Sequence, residues 1–331
     1  MSIAVLAPGM LSTVQDGGRV GHAALGVGRS GAMDPVALRL ANILVGNVEN
    51  AAALEITLRG PRLRFEADAL IALTGAEIEA TCRDTAVPMW RPLALRAGSE
   101  LSLGGMRRGA RTYLAVSGGL ATPCVLGSRS IDVNAGIGSA LVAGDTLPCS
   151  PAPRTLMAPL WRALEHDTAA MCASKWALDT APWFDLSPAP LGALRGAHFD
   201  ALESTAQRAL FEATFRISAD SNRVGYRLEG ASLALRQPLE LVSSGIVPGT
   251  LQLPPGGAPI ALMAEAPTTG GYPRIAQIAA IDLPRLAQRR PGDTLRFAQI
   301  SLDEAQTRYL AREHALSALA RTVAERLHER H

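Results

Sequence analysis

The sequence predicts a mainly β protein of sandwich or barrel architecture, with a few helices. Three observations carry this. Gly (31) and Pro (22) are spread through all 331 residues and cut the chain into short pieces. Those pieces either alternate with period two or are continuously apolar. Finally, one turn-then-strand pattern recurs along the chain.

The alternating pieces are Leu63-Arg64-Phe65, Ile78-Glu79-Ala80 and Leu101-Ser102-Leu103. They fit strands with one face in a core. Leu70-Ile71-Ala72-Leu73 and Ile260-Ala261-Leu262-Met263 are apolar throughout and suit strands buried on both faces. The recurring pattern stands at Arg96-Ala97-Gly98-Ser99-Glu100-Leu101, Val142-Ala143-Gly144-Asp145-Thr146-Leu147 and Pro291-Gly292-Asp293-Thr294-Leu295. One reading is two related β-domains in tandem, split near residue 190. The other is chance repetition of common turn chemistry.

Three helical stretches interrupt the strands. At about 35–45, Asp34 can cap, Pro35 suits the first helical position and Gly46 can end the helix. Val36, Leu40, Ile43 and Leu44 share one face, which leaves Arg39 and Asn42 as the polar side. The second stretch, about 156–177, lies between Pro-rich flanks and reads as a partly helical linker. The third begins at Leu302, with Ser301 and Glu304 at capping-box spacing. Its apolar stripe of Leu316, Leu319, Val323 and Leu327 fits packing on its own domain or docking on a partner. The expected domains are therefore an N-terminal β-barrel over 1–150, a linker over 151–190, a C-terminal barrel over 191–300 and a helix over 301–331.

A net charge of +2 supplies no field for nucleic acid or an anionic membrane. The start of the chain has no basic segment followed by a long apolar core, and no apolar run reaches the roughly 18 residues of a spanning helix. A cytoplasmic protein with free thiols is expected, because Cys82, Cys124, Cys149 and Cys172 form no C-x-x-C pair. That spacing also argues against a metal site. Of 32 Lys and Arg residues, only Lys175 is lysine. No Gly-Lys pair exists for a Walker A loop, and no G-x-S-x-G elbow occurs. Lys175 lies in Ala173-Ser174-Lys175-Trp176, which is not the Met-Lys-Met setting of a biotinylated lysine. The chain is thus not expected to carry covalent biotin.

Four polar clusters set in glycine remain. The first joins Asp16 and Arg19 to Ser30 and Asp34. It reads either as a turn pair plus a helix cap, or as a pocket at a helix N-terminus suited to an anion. In the second, Arg129 and Asp132 form either a local ion pair or a carboxylate fork. The third, Ser221-Asn222-Arg223-Val224-Gly225-Tyr226, offers an amide reader in Asn222 and a carboxylate reader in Arg223, or else a β-turn pinned by Asn222. The fourth leads from Val247-Pro248-Gly249-Thr250-Leu251-Gln252 to Thr268-Thr269-Gly270-Gly271-Tyr272-Pro273. Its paired glycines and threonines can cradle an oxyanion or a polarised amide carbonyl, or simply make a tight turn.

In this order the clusters resemble the family that contains the C subunit of 5-oxoprolinase and the biotin-dependent carboxyltransferases. The shared motifs are T-V-Q-D-x-G-R at 13–19, S-G-A-M-D at 30–34, L-A-N-x-L-V-G-N at 40–47 and L-G-S-R-S at 126–130. They continue with S-N-R-x-G-Y-R-L-E-G at 221–230, V-P-G-x-x-Q-x-P at 247–254 and T-T-G-G-Y-P at 268–273. The resemblance implies two tandem cyclophilin-like β-barrels. It also implies one component of an assembly that couples ATP hydrolysis to opening the lactam of 5-oxoproline, giving glutamate. The implied partners are two further 5-oxoprolinase components, a B-like protein of the kinase-inhibitor-like family and an A-like protein. The ATP site is then on this chain or on a partner. Carried over residue by residue, the substrate pocket comprises Asn222, Arg223, Tyr226, Gln252, Thr268, Thr269, Gly270, Gly271 and Tyr272, with Asp16, Arg19 and Ser30. Family members usually carry a polar Arg-Gln pair before the T-T-G-G-Y tract, where this chain has Ala266-Pro267. Two other readings stand beside this one: a carboxyltransferase acting on urea-type amides with a separate biotin carrier, and a non-enzymatic antagonist of a kinase-inhibitor-like partner.

Overall fold

The computed structural model describes residues 1–151, 153–166 and 169–329. Ala152, Asp167, Thr168, Arg330 and His331 belong to the expected linker and terminal helix, and lie outside the described residues. The chain forms two compact units. One comprises Met1–Gly18, Asp34–Asp185 and Ala315–His331, and the other Arg19–Met33 and Leu186–His314. The expectation of a mainly β protein holds: each unit is built on one large sheet.

In the first unit ten strands form an antiparallel sheet around two long strands, Ala69–Cys82 and Glu100–Val116. These pair from Ile71↔Val116 to Cys82↔Leu101, with register shifts between Gly75 and Ala80. Gly75 makes the first shift possible. Its φ is +88°, and a Cβ there would stand 2.4 Å from the Arg111 carbonyl oxygen. Residues 69–76 are buried without alternation, as their apolar run predicts. Ile71, Leu73 and Ala76 join the sheet's core with Leu54, Leu63 and Phe65. On the other face lies helix α1 (Pro35–Leu44), whose Ala37 carbonyl accepts a 2.6 Å bond from Thr74 Oγ1.

Helix α1 starts as the sequence predicts: Asp34 Oδ1 accepts from Val36 N at 3.1 Å and Ala37 N at 3.0 Å. Its expected polar side is only half right. Arg39 pairs with Glu49 at 2.6 Å, but Asn42 is fully buried. Asn42 Nδ2 donates to the Glu49 and Ala51 carbonyls, and its Oδ1 accepts from Asn47 Nδ2 at 2.9 Å. The side chain supplies the bonds that the following loop cannot make for itself.

The second helical expectation is corrected. Helix α2 covers only Ala158–His166, and Met171–Ala173 is a strand paired with Leu93–Leu95. Helix propensity loses there to an open sheet edge, whose N–H and C=O groups need partners.

The second unit holds an eight-stranded sheet running from Thr294–Leu295 through Phe215–Ile217, Gly225–Glu229, Ile260–Leu262, Thr250–Gln252, Arg274–Ile278 and Leu191–Arg195 to Phe297–Gln299. The two ends of that path are separated in sequence only by Arg296, so the sheet curls into a nearly closed barrel. Leu191, Phe215, Leu251, Ile275 and Phe297 fill it, with helices α3 (Ser204–Glu212) and α4 (Leu283–Ala287) contributing Leu210 and Leu286. Met33, from the early segment, also joins this core. A separate two-stranded ribbon pairs Ser244–Gly245 with Thr269–Gly270.

Helix α5 (Leu302–His328) begins with the expected cap, Glu304 N donating to Ser301 Oγ at 3.1 Å. Its apolar stripe falls in the part of the helix that belongs to the first unit, where Leu316 joins Val36, Leu40 and Trp90, with Leu319 against them.

Candidate functional site

The first unit gathers the residues around Asp16. Strand Leu11–Gln15 delivers its carboxylate to the loop 128–130. Oδ1 accepts from the hydroxyls of Ser128 and Ser130, both at 2.6 Å, and from Gly18 N at 2.8 Å. Oδ2 accepts from Arg129 N at 2.6 Å. Burial pushes this carboxyl up, but the two hydroxyls and the two backbone N–H groups outweigh it and hold Asp16 below the usual carboxylate range. Its lone pairs are thus used in tying the loop to the strand. Arg129 and Asp132 do not form the fork or ion pair the sequence allows. Arg129 Nη1 donates to the Thr122 carbonyl, while Asp132 Oδ1 accepts from Ala135 N at 3.0 Å.

A second buried network in this unit escaped the sequence reading. Tyr113 OH donates to Glu55 Oε2 at 2.6 Å and accepts from Asp34 N at 2.8 Å. Arg111 Nε lies 3.9 Å from Glu55 Oε1, with both side chains buried. Burial, then the charges of Glu55 and Asp34, push the Tyr113 hydroxyl well above its ordinary pKa, so it stays a donor. The available signal was Glu55 inside Ala53-Leu54-Glu55-Ile56, a charge in an otherwise apolar run.

The second unit holds the other candidates. Arg19 and Ser30 belong to it and are buried, and Arg19 N donates to the Arg29 carbonyl at 2.7 Å. Ser30 and Gly31 both have positive φ, +52° and +91°. The Gly31 carbonyl accepts from Arg223 Nη2 at 2.7 Å, and Arg223 Nε lies 2.6 Å from Glu265 Oε1. The guanidinium is therefore engaged in holding the early segment on the barrel. Asn222 makes the turn that was one of its two readings: Oδ1 accepts from Val224 N at 2.8 Å and Gly225 N at 3.4 Å. Tyr226 points into the barrel core, its OH donating to the Ala287 carbonyl at 3.4 Å.

Gln252 and the 268–272 tract come together. Thr269 and Gly270 form one strand of the ribbon, while Thr268 anchors it by accepting Ile246 N at 3.1 Å. Thr269 and Tyr272 are exposed. Neither Gly270 nor Gly271 has a positive φ, so these glycines serve close approach rather than a turn. A Cβ on Gly270 would stand 2.5 Å from Gln252 Nε2 and 2.9 Å from Ile246 Cδ1. The ribbon thus lies directly on the Gln252 carboxamide. A cleft of about 770 Å³ in this unit, lined by Leu194, Val247, Pro248, Ile278, Leu283 and Tyr309 among others, borders the start of the 247–252 segment but contains none of the residues carried over as the substrate pocket.

Two observations bear on a phosphate-bearing cofactor. The N-terminus of α1, the anion site the sequence offers, is filled by the Asp34 carboxylate, which would repel a phosphate. Among the described residues, no three His, Cys, Asp or Glu side chains are grouped to hold a metal ion. The first of these makes α1 a poor fit for ATP.

The sequence matches the family model described as carboxyltransferase domain, subdomain A and B, over residues 25–299. It is 41% identical over 306 residues to the 5-oxoprolinase C subunit of Escherichia coli strain K12, covering 91% of this chain and 92% of that one. The protein of the same name from Haemophilus influenzae is 37% identical over 319 residues, covering 95% and 96%. Among solved structures, Kluyveromyces lactis urea carboxylase superposes with a TM-score of 0.84 at 28% identity, over 95% of this chain but 29% of that chain.

Proposed function

This chain belongs to the carboxyltransferase domain subdomain A and B family, and on that premise we propose that it is the C subunit of an ATP-dependent 5-oxoprolinase. With a B-like and an A-like partner it opens the lactam of 5-oxoproline to glutamate. The observation that carries this reading is the match to the two 5-oxoprolinase relatives, which spans nearly the whole of both partners in the alignment.

The chemistry fits an assembly. A lactam carbonyl is stabilised by amide resonance and is a poor electrophile. Water must add to its carbon, the C–N bond must break, and the nitrogen must leave as an amine. ATP supplies the driving force, ending as ADP and phosphate. This chain's share is to bind and orient the amide at the Gln252 and 268–272 face. The nucleotide sits on a partner, in keeping with the Asp34 carboxylate at α1. A cytoplasmic setting follows from the same reading, and no helix among the described residues is long and apolar enough to cross a membrane.

The test is turnover by the purified complex of this chain with its B-like and A-like partners. Consumption of 5-oxoproline only when ATP is present supports the reading, and an inert complex refutes it. The similarity to urea carboxylase favours one alternative, transfer of a carboxyl group to a urea-type amide. That activity requires a biotin carrier and would be abolished by avidin, whereas opening of the lactam would not.

A further inference from the structure

Two glutamines on adjacent paired strands of the barrel differ in a way that points to a ligand. Gln277 is satisfied: its Oε1 accepts from Thr250 Oγ1 at 3.0 Å, and its Nε2 donates to the Pro248 carbonyl at 3.0 Å and the Ile278 carbonyl at 3.2 Å. Gln252, at the end of strand Thr250–Gln252, is only 5% exposed, yet its Nε2 has no hydrogen-bond partner among the described residues. A buried donor left without a bond keeps the full cost of its lost hydration. Folded proteins keep such groups chiefly where a ligand, ion or water completes them.

What covers Gln252 is thin. The ribbon above it pairs only Ser244↔Gly270 and Gly245↔Thr269, and is not part of the barrel sheet. Gly270 presents no side chain, and any Cβ would collide with Nε2. Val242, two residues before the ribbon, is 92% exposed. The donor therefore faces the Gly270 backbone, with the Ile246 side chain beside it.

We propose that Gln252 is the specificity-determining residue of this face and reads a cis amide. A side-chain carboxamide carries a donor and an acceptor on one edge. It closes a ring of two hydrogen bonds only with an amide whose N–H lies on the same side as its C=O. Nε2 donates to the ligand carbonyl, and Oε1 accepts from the ligand N–H. A small-ring lactam is held in this geometry, and urea has such an N–H, but a trans secondary amide does not. The ribbon shifts off Gln252 to admit the ligand. This inference rests on the amide-binding role proposed for the tract, though not on which amide is turned over.

The experiment measures equilibrium binding to the assembled complex, for wild type, Gln252→Leu and Gln252→Glu. The ligands are 5-oxoproline, urea, and their N–H-free counterparts N-methyl-5-oxoproline and tetramethylurea. At least one of the two parent amides should bind wild type about 10–100-fold more tightly than its methylated counterpart. Gln252→Leu should weaken that parent by a similar factor and the methylated form by less, because the methylated form takes only the bond from Nε2 to its carbonyl. Gln252→Glu, which keeps the shape and loses the donor, should weaken the parent as well. Urea binding with this dependence, without 5-oxoproline turnover, upholds the inference while refuting the 5-oxoprolinase reading. Turnover of 5-oxoproline with unchanged kcat/KM in Gln252→Leu does the reverse. Equal wild-type affinity for parent and methylated ligands, or no binding of either parent, overturns the inference without recourse to any variant.

Discussion

Arg223 Nε and Glu265 Oε1 stand 2.6 Å apart in the second unit, with their side chains 6% and 3% exposed. A guanidinium in that setting is poorly placed to meet a substrate carboxylate, since both its charge and its donors are engaged. Its Nη2 bond to the Gly31 carbonyl makes it a brace for the early segment. Glu265→Gln should therefore destabilise this unit by about 3–5 kcal/mol, because it leaves a buried cation uncompensated. The double variant Arg223→Met with Glu265→Leu should recover part of that loss but not all, since the bond to Gly31 is gone. Urea unfolding of the three proteins decides it; a Glu265→Gln midpoint equal to wild type would show the pair to be idle.

Asp16 ties acid stability to the 128–130 loop. Its folded pKa is depressed, so its contribution is fully present above the unfolded value of about 3.9 and is lost as pH falls through the folded value. Asp16→Asn should cost about 1–3 kcal/mol at pH 7 through unmatched donors. The gap between wild type and variant should narrow as pH drops below about 4. A gap independent of pH would mean that the carboxylate charge does not matter there.

Two glycines with similar φ separate strain from collision. Gly75 (φ +88°) would place a Cβ 2.4 Å from a backbone oxygen that cannot give way, whereas Gly98 (φ +75°) has nothing within 4 Å. Gly98→Ala should cost about 1–2 kcal/mol, the penalty of a left-handed L-residue. Gly75→Ala should cost at least about 3 kcal/mol, or abolish soluble expression. Thermal melts of both variants test the difference.

The cysteines should react in order of exposure. Burial pushes the Cys149 thiol up to about 11, and Cys82 is also raised, whereas Cys124 is exposed. The thiolate is the reactive form, so a maleimide at pH 7 should label Cys124 promptly and spare Cys149 and Cys82 until the protein unfolds. Mass spectrometry of the labelled peptides reads this directly, and early labelling of Cys149 would contradict its burial.

Short-range features were legible in the sequence. The period-two alternation around Leu63 and Leu101, the Asp34 cap and the Ser301 cap all appear where local chemistry places them. These depend on neighbours a few residues away. The strand at Met171–Ala173 was misread because its partner, Leu93–Leu95, is remote in sequence. Asn42 differs from its expected place because the following loop folds back over it and takes up its amide, which helical periodicity does not reveal.

The glycine-rich tract 268–273 was legible as a marker of the family, since motif order survives any folding. Its working was not. From the sequence alone, Gly270 and Gly271 offered N–H groups for a cradle; in the fold Gly270 instead permits the ribbon to lie on Gln252. Likewise Asn222, Arg223 and Tyr226 are close neighbours in sequence but separate into a turn, a buried ion pair and a core side chain. Residue type and spacing determined which chemistry this chain could hold. Tertiary structure decided which of those groups were consumed by the fold, because a donor's use depends on acceptors brought from distant segments. Gln252 Nε2 is one of the buried donors that the described residues leave without a partner.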